Sequence, residues 1–239
     1  VEEGNRNIIN EAFRVLRSNV DFMKSKNTEQ KVFIETSFNP GSGKSFLSMN
    51  IAMSFAIKGK KVLVIDGDLR HGTVSAYVGS PKKGLSDYLG NKEVVWNELL
   101  VIDKKYPNLH IIPVGTIPPN PTELLARDGL DKAIDMLKNN FDYVILDTAP
   151  VGMVTDTLLI GRVADLSVYV CRADYTHKAE YTLINELSHE QKLPNLCTII
   201  NGVDLKKRKY GYYYGYGKYS KHYGYGKRYG YGYGYGQEK

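Results

Sequence analysis

A loop rich in small and polar residues joins an apolar stretch to a helical one over residues 37–45, Ser-Phe-Asn-Pro-Gly-Ser-Gly-Lys-Ser. The glycines at positions 41 and 43 place no Cβ in the way of a bound phosphate. Backbone N–H groups of residues 41–46 could therefore point inward, and the start of the following helix adds positive potential. This spacing predicts a phosphate-binding loop whose contacts come from Gly41, Ser42, Gly43, Lys44, Ser45 and Phe46.

Two side chains of the loop have the chemistry expected of a nucleotide site. Lys44 would contact the β- and γ-phosphates, and the hydroxyl of Ser45 would bind Mg²⁺. The first glycine of the usual G-x-x-x-x-G-K-S pattern is missing, because Phe38 stands at its position. A glycine-rich turn that merely contains Gly-Lys-Ser is the alternative, but a strand before the loop and a helix after it favour the nucleotide site.

Carboxylates follow two other apolar stretches. Asp66 and Asp68 come after Val-Leu-Val-Ile, and Asp147 comes after Val-Ile-Leu. In a parallel sheet these strand ends would meet at the edge that holds the loop. Three carboxylates are more than Mg²⁺ coordination requires, so one of them could accept a proton from an incoming hydroxyl. We expect Ser45 and the three aspartates to be the metal ligands. Lys44 and the same aspartates are the expected catalytic residues, and which aspartate is the base stays open.

Several other polar residues allow alternative roles. Arg70 could support the aspartate pair or reach a neighbouring subunit. The amide of Asn201, after the last apolar stretch, could pair with the edge of adenine, but an Asn-Gly pair is also a common turn. Glu11, Arg14 and Arg17 recur every three residues in the first helical stretch, a spacing that supports ion pairing on a solvated helix face.

These candidates require a scaffold in which apolar strands alternate with helices. Short apolar runs predict strands at 31–36, 62–65, 109–113, 143–146, 166–171 and 197–200. Helical periodicity predicts helices at 5–24, 45–58, 122–139 (with Thr122 as its cap), 155–163 and 176–191, and a helical stretch near Trp96. The alternation predicts an α/β fold: a P-loop NTPase-like three-layer sandwich, with a mostly parallel sheet and helices on both faces.

The end of the chain differs in composition from the rest. Residues 210–236 contain 12 of the 19 tyrosines and 9 of the 23 glycines, without Leu, Ile or Val. Such a segment cannot build a packed core, so residues 206–239 are predicted to be a disordered tail. The tail holds nine Lys/Arg and one Glu, a charge of +8, which leaves −2 for the body out of the total of +6. The high pI therefore belongs to the tail, and no nucleic-acid partner is expected.

Three further features bound the class of protein. Cys171 and Cys197 are the only cysteines; they lack metal-ligand spacing and lie in apolar runs, so we expect reduced core residues. The sequence contains no run of 18 apolar residues and no signal peptide. It begins with Val1 rather than Met, which favours a piece of a longer protein.

Taken together, the motifs resemble those of the bacterial tyrosine kinases. The segments at 37–45, 66–70 (Asp-x-Asp-x-Arg) and 147–150 (Asp-x-x-Pro) are similar to the Walker A, A′ and B motifs of that family. Residues 11–17 resemble its E-x-x-R-x-x-R helix, and the tail resembles its tyrosine cluster. The resemblance covers essentially the whole chain. It divides the chain into an N-terminal helix with the oligomerisation motif (1–30), a kinase domain (31–205) and a tyrosine-cluster tail (206–239).

The resemblance implies an ATP- and Mg²⁺-dependent kinase domain that phosphorylates the tyrosine cluster of a neighbouring subunit. It also implies that Glu11, Arg14 and Arg17 form an oligomerisation contact in a ring, an octamer, which phosphorylation dissolves. The implied setting is the control of capsule or exopolysaccharide export at the cytoplasmic side of the cell membrane, by a chain that is itself soluble. The implied partners are a membrane co-polymerase domain, fused upstream or separate, and a tyrosine phosphatase. The implied acceptors are Tyr210, Tyr212, Tyr213, Tyr214, Tyr216, Tyr219, Tyr223, Tyr225, Tyr229, Tyr231, Tyr233 and Tyr235.

A partition-type ATPase or nucleotide-switched binding module is the alternative function. It would use the same pocket with water as the nucleophile, and its tail would be only an adhesive. The partition and cell-division ATPases carry a second lysine early in the loop, where this chain has Asn39. Ser42 stands where the tyrosine kinases often have Glu or Ala, which is a minor departure.

Overall fold

Seven strands and seven α-helices occur in the part of the chain that the structure describes. The computed structural model describes residues 1–2, 4–5, 7–23, 30–91 and 93–204, so the predicted tail and its twelve acceptor tyrosines lie outside the described residues. The strands are β1 (Val32–Thr36), β2 (Val62–Asp66), β3 (Val101–Ile102), β4 (Leu109–Ile112), β5 (Tyr143–Asp147), β6 (Leu166–Arg172) and β7 (Leu196–Asn201). The helices are α1 (Ile8–Met23), α2 (Lys44–Ala56), α3 (Leu85–Gly90), α4 (Pro121–Leu125), α5 (Gly129–Asn140), α6 (Asp156–Gly161) and α7 (Tyr181–His189).

The strands form one sheet in the order β3-β4-β2-β5-β1-β6-β7. Every neighbouring pair is parallel except β3 and β4, which are antiparallel. The three central strands β2, β5 and β1 are buried along their whole length, because helices cover both of their faces. The carboxyl ends of these strands therefore meet at one edge of the sheet, which is the usual place for ligands in such folds.

Two apolar cores flank the sheet and define its three layers. On one face, β-strand residues such as Phe33 and Val64 pack with α1 and α2. On the other face, residues such as Ile34 and Leu63 pack with side chains of α3 to α7. The predicted three-layer α/β fold, with a mostly parallel sheet, is thereby confirmed.

Some element predictions were wrong in detail. The single helix expected at 122–139 is two helices, α4 and α5. Pro121 occupies the first turn of α4, so Thr122 lies inside that helix and is not its cap. Gly129 begins α5 after a turn, because α4 packs against α6 while α5 packs under β5. Within residues 71–108 only a helical stretch near Trp96 was predicted, and a 3₁₀ helix at Trp96–Leu99 confirms it. This region also contains α3, the edge strand β3 and a 3₁₀ helix at Ser75–Val78.

The N-terminal helix packs on α2, the helix that follows the glycine-rich loop. Phe13 and Val20 are buried, and the ring of Phe13 meets Phe46 edge-on at 6.0 Å. Arg17 Nη1 donates to the backbone carbonyl of Ser54 at 2.7 Å. Arg14 pairs with Glu11 within the helix, as its spacing allows. Of the three motif residues, Arg17 thus stabilises the contact between α1 and α2.

Two remaining expectations concern membranes and cysteines. None of the helices in the described ranges is long and apolar enough to cross a membrane. Both cysteines are free; Cys171 is buried as expected, whereas Cys197 is only partly buried.

Replacing Phe13 with alanine should lower the free energy of unfolding by about 3 kcal/mol, because it leaves a cavity between α1 and α2. Phe22 on the same helix is 84% exposed, whereas Phe13 is 5% exposed, so Phe22→Ala is the matched control and should change stability little. Urea unfolding of both variants measures the difference. Equal effects of the two substitutions would contradict this packing of α1.

Candidate active site

The glycine-rich loop has the backbone conformation that a phosphate cradle needs. Gly41 and Gly43 have φ values of +77° and +95°, in the left-handed region that favours glycine. A Cβ on Gly43 would lie 2.2 Å from Nδ2 of Asn201, so any other residue would strain the backbone and displace that amide. Lys44 is buried at the first position of α2, where unpaired N–H groups give positive potential. The loop and the start of α2 together have the geometry that suits an anion, and phosphate binding by the loop stays a prediction.

The end of β5 lies directly beneath this loop. Ser45 Oγ donates to Asp147 Oδ2 at 2.5 Å, and Ser48 Oγ lies 3.2 Å from Asp147 Oδ1. Ser45 and Ser48 are three residues apart on α2, so both hydroxyls face the strand. The structure thus brings together the predicted serine and aspartate ligands of Mg²⁺.

Three carboxylates stand side by side across the centre of the sheet. Asp66 on β2 is in register with Asp147 on β5, and Asp147 is in register with Glu35 on β1. Register partners on neighbouring parallel strands point to the same face, roughly 4.8 Å apart. All three side chains are buried, and this row, Asp66–Asp147–Glu35, is hereafter called the carboxylate row.

Burial makes the charged forms of these carboxylates unfavourable. Burial, with a smaller contribution from the negative charge of Asp66, raises the pKa of Asp147 to about 7, although the hydrogen bond from Ser45 opposes the shift. Burial likewise raises the pKa of Asp66 to about 6. The pKa of Glu35 is well above its ordinary value, again through burial and then through the charge of Asp147. A cation that binds at the carboxylate row would therefore displace the protons of these carboxyl groups.

The two aspartates after β2 have different surroundings. Asp66 Oδ2 accepts hydrogen bonds from the N–H and the hydroxyl of Ser75, both at 2.7 Å. Its Oδ1 is buried and has no hydrogen-bond partner among the described residues. Asp68 lies in the turn beyond the strand, where it accepts the N–H of Arg70 at 3.2 Å and contacts His71 Nδ1 at 3.3 Å.

Arg70 does not pair with these aspartates through its guanidinium. Its Nε and Nη2 donate to the two carboxylate oxygens of Asp156 at 2.8 and 3.1 Å. Thr122 Oγ1 donates to Asp156 Oδ1 at 2.8 Å. Because Asp156 begins α6 and Thr122 belongs to α4, this network joins the turn after β2 to both helices.

Asn201 contacts the loop itself. Its Nδ2 donates to the carbonyl of Ser42 at 3.0 Å, and its Oδ1 accepts the N–H of Gly202 at 2.8 Å. The predicted pairing of this amide with adenine stays a prediction. Phe38, the residue in place of the first glycine of the motif, packs on Gly152, where a Cβ would lie 2.7 Å from the Phe38 carbonyl oxygen.

Three residues at the site escaped the sequence reasoning. Glu35 follows three apolar residues in β1, and a charged residue directly after that apolar run was the signal for it. Ser48 lies one helical turn after Ser45, so helix geometry could have placed it. Asp156 looked like an ordinary helix-start residue, and only its burial at 1% exposure identifies it as the partner of Arg70.

The arrangement fits a nucleotide with Mg²⁺. Within the described ranges, no three acidic, histidine or cysteine side chains are arranged to hold a metal ion by themselves. Mg²⁺ in nucleotide sites takes most of its ligands from phosphates and water, with one or two protein groups. Ser45 and Asp147 supply such groups, and the unpartnered Oδ1 of Asp66 is available beside them. The fold and site together define a Walker-type nucleotide-binding α/β protein.

Comparison with known proteins narrows this class. A family model described as an AAA domain matches residues 30–195. The tyrosine-protein kinase CpsD of Streptococcus pneumoniae is 35% identical over 209 residues, which cover 87% of this chain and 90% of that protein. The kinase domain of the Escherichia coli tyrosine kinase ETK superposes with a TM-score of 0.77 at 34% identity, over 87% of this chain and 80% of that one. The chimerical protein CapA2B2 superposes with a TM-score of 0.75 at 32% identity, over 83% of this chain and 86% of that one.

The chain therefore belongs to the family of bacterial tyrosine kinases. The prediction of a protein-tyrosine kinase is confirmed at the level of enzyme class.

Without nucleotide or Mg²⁺, the protein should lose stability as the pH rises from 5 to 8. The folded state keeps the proton of Asp147 up to about pH 7, whereas the unfolded chain releases it near the ordinary value of 3.8. Folding therefore takes up a proton in this pH window. Between pH 5 and pH 8 the free energy of unfolding should fall by about 3 kcal/mol through Asp147 alone. Asp147→Asn should flatten the dependence in urea unfolding at the two pH values.

Asp135→Asn is the control for this measurement, because the side chain of Asp135 is 70% exposed on α5. It should keep the wild-type pH dependence. An Asp147→Asn protein with the same dependence as wild type would contradict the burial of an uncompensated carboxylate.

Proposed function

We propose that the chain is an ATP- and Mg²⁺-dependent kinase that phosphorylates the C-terminal tyrosine cluster of a second copy. One observation carries the proposal: Ser45, Asp147 and Asp66 are arranged beneath a preformed phosphate loop. The same chain carries twelve tyrosines in a glycine-rich tail, a segment suited to enter an active site. The tyrosine kinases among its relatives support the same reaction.

Each residue of the site has a role in this reaction. Lys44 stabilises charge on the β- and γ-phosphates of ATP, together with the N–H groups of the loop. Ser45 and Asp147 would hold Mg²⁺, directly or through water, and the unpartnered Oδ1 of Asp66 would be available beside them. When bound, Mg²⁺ would neutralise phosphate charge and polarise the phosphorus–oxygen bond that breaks.

Asp68 is the better placed of the two β2 aspartates to act as the base. Asp66 is fully buried and already accepts two hydrogen bonds from Ser75. Asp68 is 6% exposed and lies two residues further on, in the turn beyond the strand, so it is closer to the surface than Asp66. Because the pKa of free tyrosine is near 10, a carboxylate that accepts its proton accelerates the transfer at neutral pH.

The tail is suited to be a substrate. Glycine has few steric restrictions on its backbone, and glycine-rich sequences in general can adopt the extended conformations that a peptide substrate needs. Tethering to an assembled ring raises its local concentration, on the order of millimolar for a short linker. Each phosphate adds roughly −1.5 to −2 charge, so about five phosphates would cancel the tail's +8 and weaken its attraction to a body of −2.

The assembly and setting proposed for this chain follow from its family. Glu11, Arg14 and Arg17 would contact a neighbour in a ring-shaped octamer that phosphorylation dissolves. The partners would be a membrane co-polymerase domain and a tyrosine phosphatase, at the cytoplasmic side of the cell membrane. The process regulated would be capsule or exopolysaccharide synthesis and export.

Intact-mass measurement after incubation with ATP and Mg²⁺ tests the activity. Wild-type protein should gain successive phosphate masses that map to residues 210–235, whereas Lys44→Met should gain none. Lys58→Met makes the same chemical change at an exposed position near the end of α2 and should behave as wild type. Phosphate release without any gain of mass would instead support the nucleotide-switched ATPase.

Light scattering tests the ring. Unphosphorylated wild-type protein should have a mass several times the 26.9 kDa of one chain, and phosphorylation should reduce it. Arg14→Ala should also dissociate the assembly, whereas Lys105→Ala, which removes a comparable surface ion pair with Glu2, should not. An Arg14→Ala protein that keeps the wild-type mass would contradict the contact.

A further inference from the structure

Four consecutive carbonyl oxygens on the outer side of the phosphate loop, at residues 39–42, each accept a hydrogen bond from a side chain. Inside the loop, the hydroxyls of Ser37 and Ser42 donate to the carbonyl at position 39, at 2.7 and 3.0 Å. The other three donors come from the far side of the site. Tyr175 Oη donates to position 40 at 2.8 Å, Arg172 Nη1 to position 41 at 2.8 Å, and Asn201 Nδ2 to position 42 at 3.0 Å.

The ends of β6 and β7 position these three donors. Arg172 is the last residue of β6 and is in register with Asn201, the last residue of β7. The turn after β6 is closed by the hydroxyl of Thr176, which accepts the N–H of Arg172 at 2.8 Å. That turn places the ring of Tyr175 beside Arg172, whose guanidinium carbon lies 5.4 Å from the ring centre.

A fourth contact joins the same segment to the loop. Asn39 Nδ2 donates to Glu180 Oε1 at 2.8 Å, and Glu180 Oε2 accepts the N–H of His177 at 3.2 Å. The segment between β6 and α7 is thereby connected to the loop at positions 39, 40 and 41.

A peptide unit whose carbonyl is held on one side directs the N–H of the next residue to the other. Held carbonyls at 40–42 therefore direct the N–H groups of residues 41–43 towards the phosphate position. We propose that Arg172, Tyr175 and Asn201 form a carbonyl clamp that preorganises the phosphate loop, and that they are positioning residues for the nucleotide. This inference rests on the proposed nucleotide site.

The clamp also assigns a role to Asn201 different from reading the base. Both ends of its amide are already in use, Nδ2 on the Ser42 carbonyl and Oδ1 on the N–H of Gly202. Its Nδ2 lies so close to Gly43 that a Cβ there would overlap it. A base-reading residue changes the preference between adenine and guanine, whereas a clamp residue changes phosphate affinity for both bases equally.

Calorimetric titration of the full chain with ADP, GDP and inorganic pyrophosphate, each with Mg²⁺, distinguishes positioning of the phosphate loop from recognition of the base. Tyr175→Phe removes only the hydroxyl, and Arg172→Gln removes the guanidinium. Each variant should lower the affinity for ADP and for pyrophosphate by the same factor, about threefold to tenfold. The reason is that each substitution removes one hydrogen bond of ordinary strength. The ADP-to-GDP affinity ratio and the thermal midpoint without ligand should not change.

Tyr181→Phe is the matched control, because Tyr181 begins α7, directly after this segment, and its hydroxyl contacts Cys171 rather than the loop. It should bind all three ligands as wild type does. Hydrogen exchange of the amides at 41–46 should be faster in Tyr175→Phe than in this control.

The outcomes distinguish the clamp from the nucleotide site itself. Wild-type affinity for pyrophosphate in both Tyr175→Phe and Arg172→Gln would overturn the clamp and leave the nucleotide site standing. A changed ADP-to-GDP ratio with unchanged pyrophosphate affinity would also overturn it, in favour of base contacts. A wild-type protein that binds neither ADP nor pyrophosphate would overturn both.

Discussion

Three carboxyl groups buried side by side in a parallel sheet cannot all be ionised unless positive charge is brought to them. Water cannot screen Asp66, Asp147 and Glu35 from one another, because they occupy register positions on three adjacent central strands. The row lies directly beneath a loop with the backbone geometry of an anion site. Cations that accompany a triphosphate would stabilise the ionised row, and the row would in turn hold the cation next to the phosphates. The cost of ionising the carboxylate row would thereby be coupled to ligand binding.

The rest of the fold serves to keep the loop and the row at a fixed separation. Parallel pairing of β2, β5 and β1 fixes the register of the carboxylates, and helices on both faces exclude water from them. The first turn of α2 supplies Ser45 and Ser48 to Asp147, while α1 packs along the outer side of α2. Side chains from the ends of β6 and β7 hold the outer side of the loop. Both faces and one edge of the sheet thus contribute to a single site.

The parts of the site that sequence reasoning predicted are local in the chain. Lys44 and Ser45 follow from the motif itself, and Asp66 and Asp147 follow from polar residues at the ends of apolar strands. Glu35 was missed because its role depends on register with Asp147, more than a hundred residues away. Helical periodicity predicted one helix over 122–139, because it does not show the turn between α4 and α5. That turn exists because the two helices pack on different neighbours. The pairing of Arg70 with Asp156 is likewise a tertiary contact that spacing does not contain.

A mixing experiment shows whether the phosphate passes from one copy of the chain to another. The donor is the full chain with all twelve tail tyrosines replaced by phenylalanine, which keeps the site but offers no acceptor in the tail. The acceptor is the full chain with Lys44→Met, which keeps the tail but lacks the phosphate-binding lysine. After incubation with ATP and Mg²⁺, intact-mass measurement should show phosphate on the acceptor's residues 210–235. An acceptor that stays unmodified, under conditions in which wild-type protein is phosphorylated, would contradict the account.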